Sequence, residues 1–354
     1  MALRAAAKAG LDSRGAIAHV SLEPCAHHGR TPPCTSALIA AGVSKVIVAI
    51  LDPNPLVAGK GVQQLRDAGI EVNVLPSDHP DAVASRELNI GFFSRMIRRT
   101  PWVRMKVASS LDGQTALANG QSQWITGEAA RSDGQGYRAR ACAVLTGIGT
   151  VLADDPLLNV RALLPTPQGN IPAPRQPHLV IVDSALDLPL SAKLLSTLGQ
   201  RGQASDQYPQ ETIDLIVPRA IYVYHASQND QKIKALESLG LKLIYMPETS
   251  SGKVDLRAMM HDLAVHQEIN ELHVEAGFKL NGSLIRAGLV DELLLYVAPK
   301  FLGAGVGLAN LPALASLNAL PSGQDLIYQT VELIGDTGQQ DLRIVARVRG
   351  RDQF

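Results

Sequence analysis

Apolar residues along this chain fall into short continuous runs bounded by polar turns, and the runs alternate with stretches of helical spacing. Lys45 to Leu51 (KVIVAIL), Ala143 to Gly147 (AVLTG), His178 to Asp183 (HLVIVD), Ala220 to His225 and Glu292 to Ala298 (ELLLYVA) are rich in aliphatic residues and barely alternate. Strands covered on both faces of a parallel sheet have that pattern. Ala16 to Leu22, Glu71 to Leu75, Trp102 to Ala108, Lys242 to Met246, Glu271 to Glu275 and Leu342 to Arg349 read as further strands. Helices are predicted over residues 2–9 (stopped by Gly10), Thr35 to Ala41, Gly61 to Ala68, Asp81 to Arg98, Gly127 to Arg140 and Ser283 to Ala287. Leu163 to Pro177 reads as a Pro-rich loop and Gln200 to Thr212 as a polar insertion. Strands alternating with helices give an α/β fold. The alternation stops near Pro76 and restarts at Thr100, so the boundary falls near Arg98, dividing the chain into 1–98 and 99–354.

Composition narrows the classes. With 354 residues, 46% of them hydrophobic, there is material for two cores and no case for disorder. Lys plus Arg and Asp plus Glu are 33 each, so no broad field favours nucleic acid or an anionic membrane. Three cysteines are not a disulfide framework, and a reducing cytoplasm is the simple reading. The first residues carry charge and no apolar signal segment. The longest uncharged stretch, from Phe301 to Gln324, is broken by Gly and Pro and is not a membrane span.

Chemistry concentrates first in Glu23-Pro24-Cys25-Ala26-His27-His28-Gly29-Arg30-Thr31-Pro32-Pro33-Cys34. Thiolate and imidazole are preferred zinc ligands, but two cysteines are half a site, and ordinary thiols in a loop fit the spacing as well. A second set lies further on. Gly277 to Ser283 reads as a turn between a strand and a helix, and Gly147 and Gly149 follow another strand. Such turns are either plain punctuation or anion sites, and their place at the carboxyl ends of apolar strands favours a ligand. No Gly-x-Gly-x-x-Gly occurs, which disfavours a dinucleotide-binding Rossmann domain. Glu275 ends an apolar strand, where a carboxylate needs a ligand or Lys106 as partner.

SLEPCAHHGRTPPC, with Asp52-Pro53-Asn54-Pro55 through Gly61, resembles the zinc segment of the bifunctional riboflavin-biosynthesis deaminase-reductase family. Residues 100–350 resemble its reductase half through VRMKVASSLDG, SQWITG, GIGTVLADDP and VEAGFKLNGS. The resemblance implies a cytidine-deaminase-like domain followed by a dihydrofolate-reductase-like domain. It implies NADPH-dependent reduction of the ribose of 5-amino-6-(5-phosphoribosylamino)uracil to the ribityl form. The deaminase half would hydrolyse 2,5-diamino-6-(5-phosphoribosylamino)pyrimidin-4-one. Cys25 and Cys34 would be two of three zinc ligands. Deaminases of this chemistry carry a His-x-Glu pair on the preceding helix, and this chain has no such pair ahead of His19. The first domain is therefore expected to be truncated, its zinc site incomplete and its deaminase activity lost. The alternative is an intact bifunctional protein whose true start lies upstream of Met1.

By the same resemblance, Ala108, Trp124, Thr150, Asp154, Ser184, Gly277, Phe278, Lys279, Leu280, Asn281, Gly282 and Ser283 would line the NADPH site. Ser122, Arg138, Leu158, Arg161 and Glu275 would face a phosphoribosylamino-pyrimidine substrate, with Arg138 and Arg161 offering guanidinium forks to its phosphate. Lys106, Asp154 and Glu275 are the catalytic candidates, and the family implies a homodimer through the reductase half. A deaminase and a zinc-binding assembly module without chemistry are the competing classes.

Overall fold

The computed structural model describes residues 2–28, 32–161, 163–166, 169–172, 175–202, 216–249, 251–314, 316, 321, 325–338 and 340–354. From residue 203 on, the polar insertion expected at 200–212 lies outside the described residues. The chain forms two compact units, Met1–Arg99 with Phe354, and Thr100–Gln353.

The first unit runs α1 (Ala2–Lys8), β1 (Ile17–Val20), α2 (Cys34–Ala40), β2 (Lys45–Val48), α3 (Lys60–Asp67), β3 (Glu71–Val74), α4 (Pro80–Leu88) and α5 (Ile90–Phe93), then a π turn at Ser94–Arg98. Its parallel sheet has the order β1-β2-β3, with Ile17 opposite Lys45 and Lys45 opposite Glu71. Val62 and Leu65, one turn apart on α3, close on Leu38, Val46, Val48 and Val72.

The second unit opens with β4 (Trp102–Ser110), β5 (Gln114–Leu117), α6 (Glu128–Arg140), β6 (Ala143–Gly147), α7 (Ile148–Asp154), β7 (Leu163–Thr166), β8 (Gly169–Pro172), β9 (His178–Val182) and β10 (Ile221–His225). It continues with α8 (Asp230–Ser238), β11 (Lys242–Tyr245), α9 (Leu256–Val265), β12 (Glu271–Val274), α10 (Phe278–Arg286), β13 (Glu292–Ala298), β14 (Gly305–Gly307), β15 (Leu326–Ile334) and β16 (Asp341–Val348). Nine strands form one sheet in the order β11-β10-β9-β6-β12-β4-β13-β16-β15. Pairing is parallel from β11 to β13 and antiparallel through β16 and β15.

The two faces of this sheet are packed differently. Val103, Met105, Leu145, Leu272 and Val274 form one apolar layer with Met259, Met260 and Leu263 of α9 and Leu284 of α10. On the other face Val144, Leu179, Ile181 and Val223 pack on Val151 of α7 and Leu236 of α8. The chain thus leaves β6 toward one face, into α7, and leaves the adjacent β12 toward the other, into α10. A crevice opens at the carboxyl ends of two such strands.

Three expectations need correction. The segment 163–177, read as a loop, carries the β7–β8 hairpin. The sheet carries an outer strand, β15, that the sequence pattern does not predict, paired beyond Leu342–Arg349. Gly277 to Ser283 is not a turn: α10 begins at Phe278, and Gly277 is its N-cap. Asn281 and Gly282 look like turn residues but sit inside the helix. A Cβ on Gly282 would lie 2.3 Å from the Asn310 carbonyl oxygen, so only glycine lets that backbone approach.

Candidate active site

A cleft of about 680 Å³ opens where β6 and β12 diverge. Its floor comes from β4 (Lys106, Ala108) and from Glu275 at the end of β12. Gly149, Thr150 and Asp154 of α7 and Gly277, Phe278 and Asn281 at the start of α10 form one side. The segment after β5 (Ser122, Trp124, Thr126), Arg131 and Arg138 of α6, and the strap 155–161 form the rest. Neither Gly147 nor Gly277 caps its helix with a side chain. The first α10 amides, ahead of Asn281, whose amide bonds the Gly277 carbonyl, have no side-chain cap, and this donor set fits a dinucleotide phosphate.

Beneath α6 the sheet face is charged rather than apolar. Glu271 and His273 of β12, with Glu275 just past its end, lie beside Arg104 and Lys106 of β4 and Glu292 of β13. Arg104 bonds Glu292 and, at 3.1 Å, Glu271; Arg347 of β16 bonds Glu292 at 2.9 Å. Arg138 holds Glu275 with two bonds, Nε–Oε1 at 2.6 Å and Nη2–Oε2 at 2.8 Å, and donates its Nη1 to the Asn159 carbonyl at 2.7 Å. The partner of Glu275 is therefore Arg138, not Lys106, and the Arg138 fork is already occupied. Burial would raise the Glu275 carboxyl, but Arg138, His273 and Lys106 hold it well below the usual carboxylate range. Burial pushes the Lys106 ammonium down; Glu275 opposes that, and Arg138 adds to it. Among the described residues Lys106 has no ion pair within 4 Å, and its nearest ring is Tyr296, 5.8 Å from the ammonium.

Of the residues expected at the site, Lys106, Ala108, Ser122, Trp124, Arg138, Thr150, Asp154, Leu158, Arg161, Glu275, Gly277, Phe278 and Asn281 line the cleft. Ser184, Lys279, Leu280, Gly282 and Ser283 are not in its wall. Ser184 Oγ accepts from the Val254 amide at 3.1 Å, and Ser283 Oγ donates to the Lys279 carbonyl within α10. Leu280 packs against Gly147, where a Cβ would come to 3.1 Å.

The model for the RibD C-terminal domain matches residues 101–326. The riboflavin biosynthesis protein RibD of Escherichia coli is 40% identical over 330 residues, 88% of this chain and 78% of that protein. The chain belongs to the RibD family. RibD of Haemophilus influenzae is 42% identical over 340 residues, covering 94% and 81% of the two chains. The structure of Acinetobacter baumannii RibD superposes with a TM-score of 0.76 at 38% identity, over 98% of this chain and 83% of that one. A Thermotoga maritima structure, described as a diaminohydroxyphosphoribosylaminopyrimidine deaminase/5-amino-6-(5-phosphoribosylamino)uracil reductase, gives 0.73 at 26% identity with the same coverage. The α/β fold is thus the RibD fold.

Sequence reasoning missed side chains that line the cleft or lie beneath it. Arg131 donates to the Thr126 carbonyl at 2.7 Å and lies over the Trp124 ring at 4.6 Å. His273 is buried beside Glu275 with its Nε2 3.5 Å from Oε1, and burial pushes it down to about 3, so it is a neutral imidazole. In the first unit Cys25 Sγ accepts from the Cys34 amide at 3.4 Å. Among the described residues no group of three His, Cys, Asp or Glu is placed to hold a metal, so the residues present do not fit a zinc ion. Glu23 is buried there and accepts from the amides of Asp52, Gly59, Gly61 and Val62.

Proposed function

We propose that the second unit is an NADPH-dependent reductase of riboflavin biosynthesis, built like dihydrofolate reductase. It converts the ribose of 5-amino-6-(5-phosphoribosylamino)uracil to the ribityl form. The observation that carries this reading is the juxtaposition, in one cleft, of Lys106, the Arg138–Glu275 pair and the uncapped start of α10.

Bound NADPH would supply the hydride. Gly277, Phe278 and Asn281, with Thr150 and Asp154, hold the cofactor, and Trp124 offers a flat exposed face. Lys279, Leu280, Gly282 and Ser283 belong to the helix that forms that wall, and Ser184, bonded to the Val254 amide, lies outside it. Ser122, Leu158 and Arg161 take the substrate, whose phosphate meets Arg161. The glycosylamine opens to an imine, whose carbon gains the hydride and whose nitrogen gains a proton. Lys106 donates that proton: burial lowers its pKa, so the ammonium gives up a proton more readily than a solvated lysine. Glu275, fixed by Arg138, orients the sugar hydroxyls.

The first unit, residues 1–98, is the deaminase-like part of the family, and no reaction step is assigned to Cys25 or Cys34. The protein works in the cytoplasm on a small molecule, as a homodimer. No helix among the described residues is long and apolar enough to cross a membrane. The dimer reading is supported by β15, the outer strand of the large sheet, where Tyr328, Val331 and Leu333 are exposed.

The test is purified protein, the phosphoribosylamino-uracil and either NADPH or NADH, followed by the absorbance of the reduced nicotinamide. Oxidation dependent on the pyrimidine, with NADPH preferred, is expected. Equal use of NADH would show the cofactor assignment to be wrong.

A further inference from the structure

The strap 155–161 has no secondary structure, and side chains from other elements hold it. The Leu158 carbonyl accepts from Arg219 Nη2 at 2.9 Å, and the next carbonyl, Asn159, accepts from Arg138 Nη1 at 2.7 Å. Gln176 bonds both the amide and the carbonyl of Val160, at 2.7 and 2.9 Å, and Gln135 accepts from the Arg161 amide at 3.0 Å. Asp155 has a φ of 41° as the C-cap of α7, and Leu158 one of 50°, a region a leucine enters only when its surroundings impose it.

Arg219 is unlike the other buried arginines of this unit. Arg104, Arg138 and Arg347 each face a carboxylate. Arg219 is 1% exposed, uses only Nη2, and leaves Nε and Nη1 without partners. Among the described residues no carboxylate pairs with it; burial pushes the guanidinium down, and the cation of Arg138 adds to that. Asn159 Oδ1, in the same strap, is also unpartnered. A buried cation without a counter-charge is costly, and the missing charge is negative. Nothing among the described residues supplies it, and an anionic ligand in the neighbouring cleft can. In front of the strap the cleft carries Lys106, Arg131, Arg138, Arg161 and Lys193 against Asp154, Asp155 and Glu275. Two of those carboxylates are already engaged, Glu275 by Arg138 and Asp155 by Lys193.

We propose that Arg219 is a positioning residue for a phosphate monoester in the cleft, fixing the strap that presents Arg161 and completing the positive field with its own unpaired charge. Both the pyrimidine substrate and the 2′-phosphate of the cofactor have this chemistry. Leu158 and Arg161 stand on the substrate side, so the substrate phosphate is the one assigned. The inference rests on the reductase reading given above.

The experiment compares the full chain with Arg219→Met and Arg219→Lys, using the phosphorylated substrate, its dephosphorylated counterpart, NADPH and inorganic phosphate. For Arg219→Met, KM for the phosphorylated substrate should rise on the order of tenfold, the scale of one charge acting at long range through an effective dielectric near 20. KM for the dephosphorylated compound should change far less, the NADPH Kd should stay unchanged, and Arg219→Lys should recover most of the loss. The thermal midpoint without ligand should not fall, because the variant replaces an uncompensated charge with an apolar chain. Its increase on adding inorganic phosphate should be lost. Equal losses on both substrates, or a lower midpoint with the phosphate response intact, would make Arg219 purely structural. A loss confined to NADPH would move the phosphate to the cofactor and overturn the assignment. If wild type fails to turn over the pyrimidine, the reductase reading falls, while the phosphate response still decides the role of Arg219.

Discussion

Arg138 meets Glu275 through two parallel hydrogen bonds, 2.6 and 2.8 Å long, with both side chains nearly closed to solvent. Burial works against the carboxylate, yet Arg138, helped by His273 and Lys106, keeps it ionised far into acid. A carboxyl depressed in the folded state stabilises the fold above its unfolded value of about 4.3, and that contribution fades as pH falls toward the folded value. Glu275→Gln should therefore lose about 3–5 kcal/mol at neutral pH, the cost of stranding one partner of a buried pair. The deficit should shrink as pH falls below about 4. Thermal scans of both proteins at neutral and acid pH check this; a deficit independent of pH would mean that Glu275 is not held as a carboxylate.

Lys106 presents the opposite case. Its ammonium is pushed down chiefly by burial, so the charged form works against folding, and stability rises as pH climbs from the folded toward the unfolded value. Lys106→Met should be at least as stable as wild type at neutral pH. Turnover should drop about 100- to 10,000-fold, as when a positioned proton donor is lost. Fluorescence titration should find NADPH binding intact. A variant that keeps most of its kcat would remove Lys106 from the chemistry.

What could be read beforehand divides along physical lines. Strands such as Ala143–Gly147 and Glu292–Ala298 are legible because burial on both faces leaves continuous aliphatic runs, and Lys45–Val48 because its aliphatic residues fill a buried and a half-buried face. The outer strand Leu326–Ile334 carries the same residue types, but it is exposed along most of its length and fits neither a buried run nor a clean alternation. The start of α10 was misplaced because Asn281 and Gly282 signal a turn, whereas their reason for being there is the backbone at Asn310. Motif resemblance pointed to Lys106, Arg138 and Glu275. It did not say that the last two bond each other across 137 positions, nor that Arg219 and Gln176 grip the strap. Those relationships depend on the sheet order, which no local pattern encodes.

The exposed apolar strand gives a prediction about assembly. Leu333 is 66% exposed and Val331 53%, on the edge of a long sheet, where an unpaired strand invites another chain. Sedimentation should show a dimer for wild type and a monomer when Val331→Lys and Leu333→Lys are combined, since two charges on that strand oppose its pairing. A wild-type monomer, or a dimer that ignores both lysines, would place the interface elsewhere or remove it.

The last prediction concerns Glu23, buried at the head of the Glu23–Cys34 segment. Its Oε1 accepts from the amides of Gly61 and Val62 at 3.0 and 3.1 Å, and its Oε2 from Gly59 and Asp52 at 2.9 and 3.2 Å. α3 has no side-chain cap from its own N-cap residue, Gly59, so this carboxylate from the loop after β1 satisfies the start of that helix. The approach is close: a Cβ on Gly61 would lie 1.8 Å from the Pro24 carbonyl oxygen. Glu23→Gln keeps the size but removes the charge and turns an NH2 toward amides that need an acceptor. A hydrogen bond to a charged group contributes about 1.5–3 kcal/mol. The amides of residues 52, 59, 61 and 62 should therefore exchange about ten- to a hundredfold faster in the variant. Amides of the nine-stranded sheet serve as the internal control and should keep their protection. If all four Glu23-bonded amides exchanged at the wild-type rate, the carboxylate would not be what holds the start of α3.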